Sequence, residues 1–166
     1  GLFFLVFCSV FVLLCFAQND PNCGTKGPKD FDDVILGIVN GTNATRNEFP
    51  WQGMMKFKTN NGKWHTCGCS ILNSRWILTA AHCVTDRKNG GSVIPAKNLE
   101  FYGGKYAKQV GHEQSEVKRL VNKVVRHEQY EYLKLKNDIA LFRLSEDLDL
   151  TLPQLGSICL PNQSEP

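Results

Sequence analysis

Three textures of apolar and polar residues succeed one another along this chain. The first, residues 2–17, is almost wholly apolar and carries no charge: Leu2-Phe3-Phe4-Leu5-Val6-Phe7 through Phe11-Val12-Leu13-Leu14-Cys15-Phe16-Ala17. It closes on Ala17 with the small Cys15 two positions earlier, which suits signal-peptidase cleavage before Gln18. The run is short for a bilayer span and polar residues follow at once, so residues 1–17 are predicted to be a signal peptide and no membrane partner is expected. Residue 1 is Gly and no basic stretch precedes the apolar run, so the chain is expected to be a fragment at its N-terminal end. The second texture, residues 18–37, is rich in Pro, Gly and polar residues without periodicity; it reads as a leader in loop conformation.

The third texture is a series of short strand-like segments separated by turn residues. Gly53-Met54-Met55-Lys56-Phe57-Lys58 partly alternates, Asn60-Asn61-Gly62 is a hairpin signal, and Trp64-His65-Thr66-Cys67 resumes a strand. Ser70-Ile71-Leu72 and Trp76-Ile77-Leu78 flank a turn at Asn73-Ser74. Residues 84–98 are a polar, Gly-containing loop, Leu99-Glu100-Phe101-Tyr102 a further strand, and residues 105–116 another loop. Between Val117 and Arg126 the β-branched Val121, Val124 and Val125 favour strand over helix. Many short strands at regular spacing, with few helix-period segments, predict an all-β, antiparallel barrel.

Composition changes the picture in two places. A net charge of +3, with no dense Lys/Arg run, argues against a nucleic-acid partner. Of the seven cysteines, Cys8 and Cys15 would leave with the signal peptide, and Cys23, Cys67, Cys69, Cys83 and Cys159 remain. A secreted, oxidising context favours disulfides among them, and the odd number leaves one over. Cys67, Cys69, His82 and Cys83 also offer zinc-type ligands, but the same redox argument favours disulfides, so no metal and no cofactor is expected.

Four segments carry candidate chemistry. Thr79-Ala80-Ala81-His82-Cys83 follows a strand and fixes a histidine beside a cysteine. A histidine can take and return a proton near neutrality when its ring is held in place. Ile38-Val39-Asn40-Gly41 with Phe49-Pro50-Trp51, Asn137-Asp138-Ile139-Ala140-Leu141, and Ser157-Ile158-Cys159-Leu160-Pro161 are the other three. Together, in this order, they resemble the trypsin/chymotrypsin family of serine proteases.

The resemblance implies the first, six-stranded barrel of a double-barrel fold, with residues 38–166 as the N-terminal part of the protease domain and the second barrel absent. It implies a secreted serine endopeptidase acting on protein and peptide substrates. His82 would be the general base and then general acid. Asp138 would fix the ring's tautomer and stabilise the imidazolium. Leu135 matches a position lining the substrate's second subsite. The resemblance also pairs Cys67 with Cys83 as the staple of the histidine loop. It pairs Cys23 with Cys159 as the tether that keeps a leader attached after zymogen activation, leaving Cys69 over where the family has Gly.

Activation in the family frees an Ile ammonium, here Ile38, which pairs with a carboxylate beside the nucleophile. Leu36-Gly37 precedes Ile38, where the family usually has Arg or Lys. None of Ser9, Ser70, Ser74, Ser92, Ser115, Ser145, Ser157 and Ser164 stands in a Gly-Asp-Ser-Gly-Gly context. The nucleophile, oxyanion hole and specificity pocket are therefore expected in a missing C-terminal barrel of the same polypeptide, and this fragment alone is predicted to be inactive. The alternative is a non-catalytic homologue that binds or regulates. Asn40, Asn43 and Asn162 head glycosylation triplets; a glycan on Asn40 conflicts with burying the adjacent Ile38, which favours Asn43. Glu113 and Glu116 alone do not establish a calcium loop in residues 105–116.

Overall fold

A computed structural model describes residues 19–27, 44–59, 62–106 and 114–161. The proposed signal peptide, Gly37, Ile38, Asn40, Asn43, Glu113 and Asn162 lie outside the described residues.

Eight strands form: β1 (Gln52–Lys58), β2 (Trp64–Ile71), β3 (Trp76–Thr79), β4 (Thr85–Asp86), β5 (Ser92–Val93), β6 (Leu99–Gly103), β7 (Val117–Arg126) and β8 (Ala140–Leu144). Six of them close into an antiparallel barrel in the order β1-β2-β3-β8-β7-β6, while β4 and β5 form a separate two-stranded ribbon. Among the described residues there is no α-helix, only short 3-10 turns at Ala81–Val84 and Ala96–Asn98. The predicted all-β barrel is thus the observed one. The ribbon and the turn at Ala96–Asn98 are detail that a polar loop over 84–98 did not reveal.

Closure depends on β1, which pairs with β2 along one edge and β6 along the other. A closed sheet has no free edge to template unwanted pairing. In β7 the register shifts between Val121 and Lys123, a bulge that bends the longest strand so that it can pair with β6 and then β8. Inward positions alternate as a period-two pattern requires. Ala140, Phe142 and Leu144 of β8 are buried, as are Ile77 and Thr79 of β3. Phe101 and Phe142 meet inside, ring centroids 6.3 Å apart, with Met55, Ile71, Ile77 and Leu99 around them. Each such side chain contributes about 1.5–3 kcal/mol by leaving water.

The start and end of the described chain are bound together. Cys23 and Cys159, 136 residues apart in sequence, are disulfide-bonded. Gly24 N–H donates to Ser157 O at 2.7 Å, and the Asn19 side chain both donates to and accepts from the Leu160 backbone. Gly24 has φ +71°, and a Cβ there would lie 3.2 Å from the Cys159 sulfur, so the crossing suits glycine.

Candidate active site

The strand order dictates which loops meet. β3 and β8 are antiparallel neighbours, with Thr79 opposite Ala140. The chain therefore leaves β3 where it enters β8. His82 lies three residues beyond Thr79 and Asp138 two before Ala140, so both stand at the same rim of the barrel despite 56 residues between them.

There the carboxylate of Asp138 grips His82 twice. Oδ2 lies 2.8 Å from the ring Nδ1, and Oδ1 accepts the His82 backbone N–H at 2.8 Å. Burial works to raise the Asp138 pKa. The hydrogen bonds from the His82 ring and backbone, its charge and the Ala81 N–H outweigh it, and the pKa lies below the ordinary aspartate value. Asp138 is consequently ionised at neutral pH. An ionised carboxylate only accepts hydrogen bonds, so the proton of a neutral His82 ring sits on Nδ1 and the lone pair on Nε2. Nε2 lies 3.4 Å from the Cys83 sulfur.

The short helical turn that presents His82 is secured on three sides. Cys83 is disulfide-bonded to Cys67 of β2, with a Cα separation of 6.1 Å. Thr79 Oγ1 donates to Gly68 O at 3.0 Å, and the buried Thr85 Oγ1 donates to Ala81 O at 2.7 Å. The loop before β8 is fixed by its own backbone. Asn137, at φ +53°, donates its side-chain amide to Gln129 O at 2.8 Å, while Glu131 and Lys136 form a β-bridge. Asparagine tolerates that left-handed conformation; Leu135, at φ +52°, is a bulky residue in the same region and strains the backbone there.

Among the residues singled out by sequence, the structure brings together His82, Asp138, Cys67 and Cys83. Leu135 stands on the Asp138 loop, half exposed to solvent. Cys69 is a free cysteine, buried beside Gly53 and Phe101; a Cβ on Gly53 would lie 2.9 Å from its sulfur, and burial pushes its thiol pKa far up. It is inert packing. The sulfurs of Cys67 and Cys83, which with His82 form a cluster of metal-ligand type, are joined to each other and so offer no thiolate. In the 105–116 region, Glu116 takes its counter-charge from Lys105 at 2.7 Å, both side chains being nearly buried.

Sequence reasoning missed three residues around the pair. Arg126, at the end of β7, donates to Thr85 Oγ1 at 3.0 Å and to Gly91 O at 2.6 Å, and its guanidinium lies 5.6 Å from the Tyr130 ring centre. It thus bridges the segment following His82 and the loop leading to Asp138. The Tyr130 pKa is raised, first by burial and then by the negative charge of Asp138. A threonine directly after the apolar Cys83-Val84 step was the available signal for Thr85. Arg126 and Tyr130 gave none.

Comparison with known proteins identifies the family. Residues 38–166 match the family model described as Trypsin. The chain is 32% identical over 169 residues to CLIP domain-containing serine protease B14 of Anopheles gambiae, covering 95% of this chain and 42% of that protein. It is 39% identical over 121 residues to Serine protease SP24D of Anopheles gambiae, covering 73% and 38%. It is 33% identical over 132 residues to Transmembrane protease serine 11B of Homo sapiens, covering 78% and 28%. A barrel carrying this His-Asp pair belongs to the class of trypsin-like serine proteases, and this chain is a member of the trypsin family. It spans less than half the length of these relatives. No helix among the described residues is long and apolar enough to cross a membrane.

Proposed function

We propose that this chain supplies the general base and the orienting carboxylate of a secreted serine endopeptidase. The observation that carries the reading is the double grip of Asp138 on His82. One carboxylate oxygen sets the ring's tautomer and the other holds its backbone, so Nε2 is kept as the proton acceptor in a fixed direction. His82 then removes the proton from a serine hydroxyl as it attacks the peptide carbonyl, and returns it to the leaving amine. Asp138 stabilises the imidazolium between the two transfers without itself being protonated.

The serine, the oxyanion donors and the primary specificity pocket belong in this reading to a second barrel of the same polypeptide. An apolar concavity of about 630 Å³, lined by Leu72, Leu78, Val125, Ile139, Leu141 and Leu160, supports a packing face for it. Residues 1–17 act as the signal peptide and residues 18–37 as the leader. Cleavage before Ile38 produces the active N-terminus, and the Cys23–Cys159 bond keeps the leader attached. Asn43 is the favoured glycan acceptor, with Asn162 as a further one; a glycan on Asn40 would conflict with the active N-terminus at Ile38. Gly37 calls for an activator that does not need a basic residue before the cut.

The test is labelling of the full-length secreted protein with a serine-directed fluorophosphonate, alongside cleavage of a pool of quenched peptides. Cleavage and labelling that both vanish in His82→Ala support the reading. A folded, processed protein that neither cleaves nor labels belongs instead to the non-catalytic, binding homologues.

A further inference from the structure

A second cleft adjoins His82, away from the grip of Asp138. It measures about 490 Å³, and His82 itself forms part of its wall. Its apolar side is the stack of Phe57 on His65, with ring centroids 5.3 Å apart and planes 21° from parallel. Its rim is cationic: Lys63 from the β1–β2 turn, and Arg87 and Lys88 from the β4–β5 ribbon, all three exposed. The one carboxylate in the lining, Asp86, is buried and turned to its own loop, where Oδ1 accepts the Lys88 N–H at 3.1 Å. Arg87 and Lys88 against one inward-facing carboxylate leave the opening net positive. The Arg87 guanidinium lies 5.6 Å from the centre of the Tyr132 ring, a cation–π contact.

We infer that this cleft selects acidic side chains in the part of the substrate that leaves first, the one or two residues following the cut bond. The inference rests on the protease reading for its direction. Nε2 returns the proton to the leaving amine, so the peptide behind that amine departs past His82, which forms part of the cleft wall. An aspartate or glutamate there meets the charges of Arg87 and Lys88, and its methylene groups meet the Phe57–His65 stack. A lysine or arginine there meets like charge. Exposed ion pairs are individually modest, so the summed effect is selectivity rather than an absolute requirement.

The test uses the full-length protein and one peptide found by pool screening, chosen for cleavage or, where none is cut, for binding. Versions are made with Glu, Gln or Lys at the two positions after the cut, or at each position in turn for a peptide that is only bound. Cleavage is followed by fluorescence, and binding of the same labelled peptides by anisotropy. The expected order is Glu over Gln over Lys, with about tenfold between the extremes in low salt, shrinking at 0.5 M salt. Arg87→Glu with Lys88→Glu should invert the order. Lys88→Gln, which leaves the Arg87–Tyr132 contact intact, should flatten it.

Cleavage that is indifferent to these residues, in wild type and variants alike, overturns the inference and leaves the protease reading standing. Charge-ordered binding without cleavage upholds the cleft and removes the protease reading. Binding without charge order and without cleavage removes both.

Discussion

In the barrel wall, Phe101, Phe142, Ile77 and Met55 are wholly buried among other apolar side chains, and any of several packings could exclude water there. At the rim, only three residues past the end of β3, His82 is held by two 2.8 Å hydrogen bonds to a single carboxylate and by the disulfide at its neighbour Cys83. The wall is stabilised by non-directional burial and the rim by directional polar contacts. The difference predicts a separation of phenotypes: wall substitutions lower stability, whereas rim substitutions lower activity and leave the fold in place.

The largest expected effect is at the rim. In the full-length protein, His82→Ala should reduce kcat/KM for peptide cleavage by about 10⁴-fold or more, with a thermal midpoint close to wild type. A comparable loss of folding in that variant would erase the distinction. Asp138→Asn should cost about 10³–10⁴-fold, because an amide at that position can present an N–H to Nδ1 and reverse the tautomer. Its stability penalty should depend on pH in a set direction. The folded Asp138 pKa is depressed, so its stabilisation is complete above the ordinary aspartate value of about 4 and is lost as pH falls through the lower folded value. Denaturation curves of wild type and Asp138→Asn should therefore converge below about pH 4 and separate above it.

The wall comes next. Phe142→Ala should destabilise by about 3–5 kcal/mol, read by denaturant unfolding. Removing the Cys67–Cys83 bond by paired serine substitutions tests the border between the regions. Its 16-residue loop predicts a loss of about 3 kcal/mol together with reduced activity, since the bond serves both packing and the histidine turn. The smallest effect belongs to the outer surface. Lys118 bonds Glu100 at 2.7 Å, yet the lysine is half exposed, so Lys118→Met should change stability by no more than about 1 kcal/mol.

The wall was legible from the sequence because a closed antiparallel barrel needs only short strand-like segments and turns, and Trp76-Ile77-Leu78 and Leu99-Glu100-Phe101-Tyr102 supply them. The meeting of His82 with Asp138 was legible through the family resemblance of the segments that carry them, and the structure supplies the physical reason: each lies within three residues of a strand end, and those strands pair. The bridge made by Arg126 was not, since it joins β7 to Thr85 and Gly91 across 41 and 35 residues through a side chain whose partners no periodicity specifies. Nor was the left-handed backbone at Leu135, where a branched side chain is a poor signal for positive φ. The cationic cleft was hidden similarly, because Lys63, Arg87 and Lys88 read as ordinary solvated loop charges until the β1–β2 turn and the ribbon are seen to converge.

The most direct measurement is the nitrogen-detected proton NMR spectrum of the His82 imidazole in ¹⁵N-histidine-labelled full-length protein, recorded with the ring neutral. The expected spectrum has a proton on Nδ1, shifted downfield by the Asp138 carboxylate, and a bare Nε2, and this signal is lost in Asp138→Asn. A neutral ring carrying its proton on Nε2 in the wild-type protein would leave no base facing the substrate and would overturn the roles given to His82 and Asp138.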